Sequence, residues 1–329
     1  MKLLLVAPRY YPYIGGVEYV IKSVAERLAK MGHDVMVLTG EPKTERSYEE
    51  VINNVRVIRW PVWSPGGAYH FPRRWRVLEE WVKREVDNVD VVHVHSAHSV
   101  FSVETGLIIK KLKPSIRLVF TLHYHGGGHS LLRNLLWMLW RTRVAKLVEN
   151  SDVIHAVSRA EESRILRHYP RASRRVKLIP NGVEEDVLRY RWIGENSSYM
   201  VYAGRIERYK NLEKAVEIAK QLGLKLLVIG DGSYKKRFEI KAGRTYPDGV
   251  IIENFLPRDR YLELLSGARY AINPSEREAF SIFIAEALAI GVPAIVSKEI
   301  AVNLGVNDSR MLEGGLVVVE KTRIDTWSS

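Results

Sequence analysis

The apolar positions of this chain fall into short continuous runs. LLLVA (3–7), DVMVLTG (34–40), VRVIRW (55–60), VDVVHVHS (89–96) and RLVFTLHYH (117–125) are such runs, and VIHAVS (153–158) and VKLIPNGV (176–183) close the series. Residues apolar one after another suit strands covered on both faces, as in a parallel sheet. Between the first two runs, VEYVIKSVAERLAKM (17–31) has helical spacing and stops before Gly32. A second series starts at YMVYAGRI (199–206). A helix over 211–222 follows, then strands KLLVIGDG (225–232) and GVIIENF (249–255) and the helix RDRYLELLSGA (258–268). Strand RYAINPS (269–275), helix SIFIAEALAIG (281–291) and strand PAIVS (293–297) complete it. The pattern predicts an α/β protein of two doubly wound, Rossmann-like domains. The polar, aperiodic stretch RYRWIGENSSY (189–199) places the boundary between domains 1–190 and 191–329.

Length and composition add limits. The 329 residues suffice for two cores, and no apolar run is long enough to cross a bilayer. The start MKLLLVAPRYYP reads as a first buried strand rather than a leader, because Pro8 and Arg9 end its apolar run, and an intracellular protein is expected. Without cysteine there is neither disulfide nor thiolate chemistry. A single glutamine, Gln221, among many charges is the composition of a thermophile protein. The net charge of +12 is unevenly spread: residues 1–190 hold 30 Lys and Arg against 20 Asp and Glu, residues 191–329 hold 20 against 18. The basic half fits an anionic partner or a merely solvated surface.

Ligands of doubly wound sheets bind beyond the carboxyl ends of the strands, so two facing domains would share an interdomain cleft. Three motifs sit at strand ends. In PSEREAFSIFIAEALAIGVPAI (274–295), Glu278 lies in the loop before a helix and Ser281 fits its N-cap, so Phe280, Ser281 and Ile282 would offer backbone N–H groups to a diphosphate. Glu286 lies within that otherwise apolar helix, where a carboxylate needs a partner. In YAGRIERYKN (202–211), Arg205 and Lys210 could clamp a diphosphate. In TLHYHGGG (121–128), His123 and His125 end a strand in a position for sugar hydroxyls or acid–base work. His93, His95 and His98 add further histidines, but no pair shows a ligand spacing, so no metal site is expected.

The ordered set IGGVE, VDVVHVHS, TLHYHG, VIHAVS, KLIPNGV, YAGRIERYKN, VIGDGS and PSEREAFSIFIAEALAIGVPAIVS resembles the retaining glycosyltransferases of family 4, which have the two-domain GT-B fold. The resemblance covers nearly the whole chain. It implies an acceptor-binding first domain and a second domain that binds a nucleotide-diphosphate sugar, UDP- or GDP-linked. Arg205 and Lys210 would then neutralise the diphosphate, Glu286 would bind the ribose, and the N–H groups near Phe280, Ser281 and Ile282 would contact phosphate. Glu278 would face the donor sugar and His123 approach it, with neither metal nor other cofactor. Gly15 and Gly16 open no dinucleotide fingerprint; their bare backbone would approach the donor phosphates as the domains close. Where the family usually has E-G-F-G, this chain has Glu278-Ala279-Phe280-Ser281, a change expected to bear on which sugar fits. Asn254 takes the place of a frequent glycine. The chain stops at DTWSS, before the helices with which family members usually return to the first domain.

On the acceptor side, YHFPRRWRVLEEWVKRE (69–85) and HSLLRNLLWMLWRTRVAK (129–146) interleave aromatic and aliphatic residues with Arg and Lys. Such segments lie in a membrane interface, or pack on a core with snorkelling arginines. The expected acceptor is a glycan or an anionic lipid-linked molecule, met at the cytoplasmic face of a membrane. Two other functions fit parts of the pattern: a nucleotide-sugar epimerase of similar two-domain fold, and a basic nucleic-acid-binding module. The E-x7-E spacing and the Gly-Arg…Lys clamp oppose the first, and the lack of a recognised nucleic-acid motif opposes the second.

Overall fold

The computed structural model describes residues 1–67, 69–124, 126, 131–276, 278–305, 310–312 and 316–319. It splits into two compact units, one of Met1–Val157 and Glu161–Pro180, the other of Ser158–Ala160 and the chain from Asn181 on.

The first unit holds strands β1 (Lys2–Ala7), β2 (Asp34–Glu41), β3 (Tyr48–Ile52), β4 (Val55–Trp63), β5 (Phe71–Pro72), β6 (Val91–His95), β7 (Arg117–Thr121), β8 (Val153–Ala156) and β9 (Val176–Leu178). Its helices are α1 (Gly16–Lys30), α2 (Trp75–Glu85), α3 (Val100–Leu112), α4 (Leu131–Asn150) and α5 (Arg159–His168). The sheet order is β3-β4-β2-β1-β6-β7-β8-β9, with β5 beside β4. All neighbours are parallel except β3 and β5, which run antiparallel to β4. Central β1 explains its own continuous apolar run. Leu4 and Val6 enter one core with Met36, Leu38 and Val92, while Leu3, Leu5 and Ala7 enter another with Val35, Val37 and Ile21 of α1. Both faces are covered, so no position from Leu3 to Ala7 is left to be polar.

The second unit holds strands β10 (Tyr199–Ala203), β11 (Lys225–Ile229), β12 (Val250–Glu253), β13 (Tyr270–Asn273), β14 (Ala294–Ser297), β15 (Arg310–Leu312) and β16 (Leu316–Val319). Its helices are α6 (Leu212–Gln221), α7 (Lys235–Thr245), α8 (Arg258–Ser266), α9 (Ile282–Ile290) and α10 (Lys298–Asn303). The order is β12-β11-β10-β13-β14-β16-β15, parallel up to β14 and antiparallel beyond it. Helix α9 is buried on nearly every side, including Phe283, Ile284, Ala287, Leu288 and Ile290. It ends at Gly291, whose φ of 101° is the left-handed turn that glycine adopts without strain.

The two doubly wound sheets are therefore as expected, with antiparallel edges added. The largely exposed YEEVI of β3 has no apolar face to betray it, and KKRFEIKAGRT of α7 is mostly charge. No described helix is long and apolar enough to cross a membrane.

Candidate active site

At the end of β10 two loops lock together through bare backbone. Gly204 has φ 151° and Gly230 φ 150°, conformations that side chains rarely allow. A Cβ on Gly230 would strike the carbonyl oxygen of Gly204, and one on Gly232 that of Ile206. The Gly204 N–H donates to Ile229 O at 3.0 Å and the Ile206 N–H to Asp231 O at 2.9 Å. The buried Tyr202 donates its hydroxyl to Arg205 O at 2.9 Å. This fixes the segment that carries Arg205, exposed, and Lys210, mostly buried.

Lys210 Nζ forms an ion pair with Glu278 Oε1. Burial, and next the Arg205 guanidinium, lower the Lys210 ammonium to about 7, while Glu207 pulls it up; the Glu278 carboxylate in contact also favours its charged form. Glu278 is held from several directions. Ser275 Oγ donates to Oε1 at 3.4 Å, Asn273 Nδ2 to Oε2 at 3.4 Å, and Asn303 Nδ2 to the backbone carbonyl at 2.8 Å. Ser281 occupies the N-cap of α9 as expected, but its side chain does not cap the helix; Oγ accepts from Asn273 Nδ2 at 3.0 Å instead. Phe280 is half-buried against the core, and Ile282 opens the helix.

Glu286 has the partner its setting requires. Arg258 Nη1 donates to Oε1 and Tyr261 Oη to Oε2, both at 2.6 Å. Arg258 is itself clamped by Asp186, two bonds of 2.9 Å, and that pairing holds the Asp186 carboxyl below its usual range. Asp186, Arg258 and Tyr261 thus fix the orientation of the Glu286 carboxylate.

In the first unit His123 follows β7 with φ 48° and is buried. Its Nε2 lies 3.3 Å from His95 Nδ1, and the two rings stack at 5.6 Å. His93 Nε2 reaches Thr121 Oγ1 at 2.7 Å, Thr121 Oγ1 reaches His155 Nδ1 at 2.8 Å, and His155 Nε2 reaches Ile179 O at 2.7 Å. Burial, and then neighbouring histidines, push His93 and His123 down to about 3 and His95 well down, so these rings are neutral near pH 7. His125, with Gly127 and Gly128, lies outside the described residues. Among the described residues no group of three or more His, Asp or Glu side chains is placed to hold a metal ion.

The two early glycines differ. A Cβ on Gly15 would meet the carboxylate of Glu18, which Arg9 Nε holds at 3.2 Å, so a side chain there would have to displace that carboxylate. Gly16 is exposed, and a Cβ on it would meet nothing within 4 Å.

The basic segments also differ from each other. Around α2, Trp63, Phe71, Trp75 and Val77 are exposed beside exposed Arg73, Arg74 and Arg76, whereas Trp81 is buried. On α4, Leu136, Met138 and Leu139 are exposed, but Trp137 is buried and Trp140 Nε1 donates to Ala97 O at 2.8 Å. The two α4 tryptophans thus pack on the core, the second of the two readings given for this segment; His129 and Ser130 lie outside the described residues.

Sequence reading missed Asn273, Ser275, Asn303, Arg258, Asp186 and Tyr261. These are polar residues without periodicity, and Asp186 stands 72 positions from Arg258. Only the apolar surroundings of Glu286 signalled that a partner had to exist.

Residues 14–187 match the family model described as Glycosyltransferase Family 4, and residues 190–327 the one described as Glycosyl transferases group 1. The chain is 26% identical over 314 residues to the N-acetyl-alpha-D-glucosaminyl L-malate synthase of Bacillus anthracis, covering 87% of this chain and 76% of that one. Among solved structures it resembles the sucrose-phosphate synthase of Thermosynechococcus elongatus, with a TM-score of 0.71 at 19% identity over 93% of this chain and 84% of the other. It also resembles Anabaena Alr3699/HepE, solved in complex with UDP and glucose, with a TM-score of 0.66 at 17% identity over 90% and 80%.

Proposed function

The chain belongs to glycosyltransferase family 4 and is a glycosyltransferase of the GT-B type; from that premise we propose a metal-independent, retaining transferase that moves a hexose-type sugar from a UDP- or GDP-linked donor to a lipid-linked or glycan acceptor. The convergence of Lys210, Glu278 and the N-terminus of α9 at the strand ends of one sheet carries the proposal. Arg205 and Lys210 face the diphosphate, and the first-turn N–H groups of α9, with Phe280, Ser281 and Ile282, add the positive end of a helix dipole. Glu286, oriented by Arg258, takes the ribose hydroxyls. Glu278 lies beside the donor sugar; in the first unit, neutral His123 is suited to exchange a hydrogen bond with a hydroxyl group. The acceptor oxygen attacks the anomeric carbon on the face from which the nucleoside diphosphate leaves. One C–O bond forms as the other breaks, and the acceptor proton passes to the departing phosphate oxygen. The comparisons favour neither the epimerase nor the nucleic-acid module.

Screening UDP-, GDP- and ADP-sugars for thermal stabilisation tests the donor. One sugar should raise Tm and then release its nucleotide in the presence of an acceptor extract; no stabilisation by any donor would sink the proposal. For the acceptor, exposed Trp63, Phe71 and Trp75 among Arg73, Arg74 and Arg76 support docking on an anionic membrane at its cytoplasmic face. The protein should float with phosphatidylglycerol vesicles at low salt and not with phosphatidylcholine vesicles; failure to float with either removes the membrane from the picture.

A further inference from the structure

We infer, resting on the donor-site assignment above, that Asn273 is a positioning residue with two separable tasks: it orients the Glu278 carboxylate, and it keeps the Ser281 hydroxyl off the N-terminus of α9. Serines stand at the N-caps of α3, α9 and α10. Ser99 of α3 accepts from the Ser102 N–H at 3.2 Å, and Ser297 of α10 from the Ile300 N–H at 3.4 Å, as N-cap serines commonly do. Ser281 of α9 makes no such bond; its oxygen is turned to Asn273 Nδ2, from which it accepts at 3.0 Å.

Asn273 ends β13 and is 3% exposed. Its orientation is set at the carbonyl end, where Oδ1 accepts from the Ser275 N–H at 3.2 Å. The amide nitrogen therefore faces Ser281 Oγ and Glu278 Oε2, and its two hydrogens serve one each. A hydroxyl bonded to first-turn N–H groups would put an oxygen lone pair where a phosphate oxygen has to come. Drawn to Asn273, the Ser281 hydroxyl leaves that place to the anion. The serine that stands where the family usually has glycine is thereby made compatible with a phosphate-binding helix end, and the residue responsible lies eight positions upstream.

The two tasks separate in a double variant. UDP and GDP affinities are measured by calorimetry, turnover by nucleotide release from the donor that the screen identifies, and folding by melting. Asn273→Ala should weaken binding of the preferred nucleotide about five- to tenfold, as its freed serine caps the helix, and lower turnover further, about 100-fold, as Glu278 loses its orientation. Asn273→Ala/Ser281→Gly should bind within about twofold of the wild type yet stay slow. Ser281→Gly alone should bind within about twofold as well. Unchanged affinity in Asn273→Ala, or a double variant that binds no better than the single, overturns the inference. Should Asn273→Ala not fold, Asn273→Leu, of similar volume, takes its place in both variants. A wild type that binds neither nucleotide removes the donor site itself, a failure distinct from an Asn273 variant that binds normally.

Discussion

At the ends of β6, β7 and β8 in the first unit the clustered polar side chains are neutral: half-buried His93 and His155 form a hydrogen-bonded chain with Thr121, and His95 pairs with His123. At the strand ends of the second they are ions, Lys210 against Glu278 and Arg258 between Asp186 and Glu286. The two networks also differ in the hydrogen bonds they satisfy. Ile179 O can only accept, so His155 donates to it from Nε2 and must accept at Nδ1 from the Thr121 hydroxyl, leaving Thr121 Oγ1 to accept from His93 Nε2. That direction of donation holds while both rings are uncharged, as burial keeps them. An ion pair has more latitude. Lys210 carries three donors, and one of them on Glu278 leaves others for a diphosphate. A neutral network suits hydroxyl groups, and an ionic one suits a charged leaving group.

The sharpest break of this contrast is Glu278→Gln. Turnover should fall about 1,000-fold, while UDP or GDP affinity stays within about threefold, because the released Lys210 remains available to phosphate. Unchanged turnover would remove Glu278 from the mechanism.

Acid should next set the two units apart. His93 and His123 titrate at about 3 when folded and near the ordinary histidine value of 6.5 when unfolded, so the unfolded chain binds more protons between those values. Stability from these groups is therefore complete above pH 6.5 and is lost as pH falls toward 3, by about 2 kcal/mol per histidine between pH 7 and pH 5. Glu161, raised to about 7 by burial, runs the other way, and offsets about one histidine over the same interval. His95, His155 and His70 are also lowered, so the net sign is loss. Urea unfolding at pH 7, 6 and 5 measures it; equal stability at pH 5 would mean that these rings are not held neutral.

The fold was readable from the sequence because strands buried on two faces write continuous apolar runs, as β1 and β2 do. Edge strand β3 wrote none, because an exposed edge puts no demand on its residues. Candidate site residues were legible where a strand end coincided with a charged or glycine-rich motif, as at Gly204-Arg205 and Glu278. Their supports were not. Asn273 and Arg258 earn their places through contacts 8 and 28 residues away in sequence, with no local pattern to record them. Gly15 and Gly16 read alike in sequence, yet only at Gly15 would a Cβ meet a neighbour, the Glu18 carboxylate.

A smaller effect probes the ionic side directly. Lys210→Met leaves Glu278 buried without its cation and should cost about 3 kcal/mol in urea unfolding. Lys210→Met/Glu278→Leu should recover most of the loss, since removing both charges removes the desolvation penalty. No recovery would mean that the pair contributes through packing rather than charge.

The smallest expected effect asks what keeps the histidines neutral. Thr121→Val preserves the shape of the side chain but deprives His155 Nδ1 of its donor and His93 Nε2 of its acceptor. The loss at pH 7 should be about 1–2 kcal/mol, the usual consequence of leaving buried polar atoms unmatched. Burial is the leading cause of the lowered values of both rings. The decline in stability between pH 7 and pH 5 should therefore keep its slope, parallel to the wild type and displaced downward. A flattened slope would show that the threonine hydroxyl, by holding one tautomer in each ring, is what resists protonation, and the neutrality of these histidines would then be a property of their hydrogen bonds rather than of their depth.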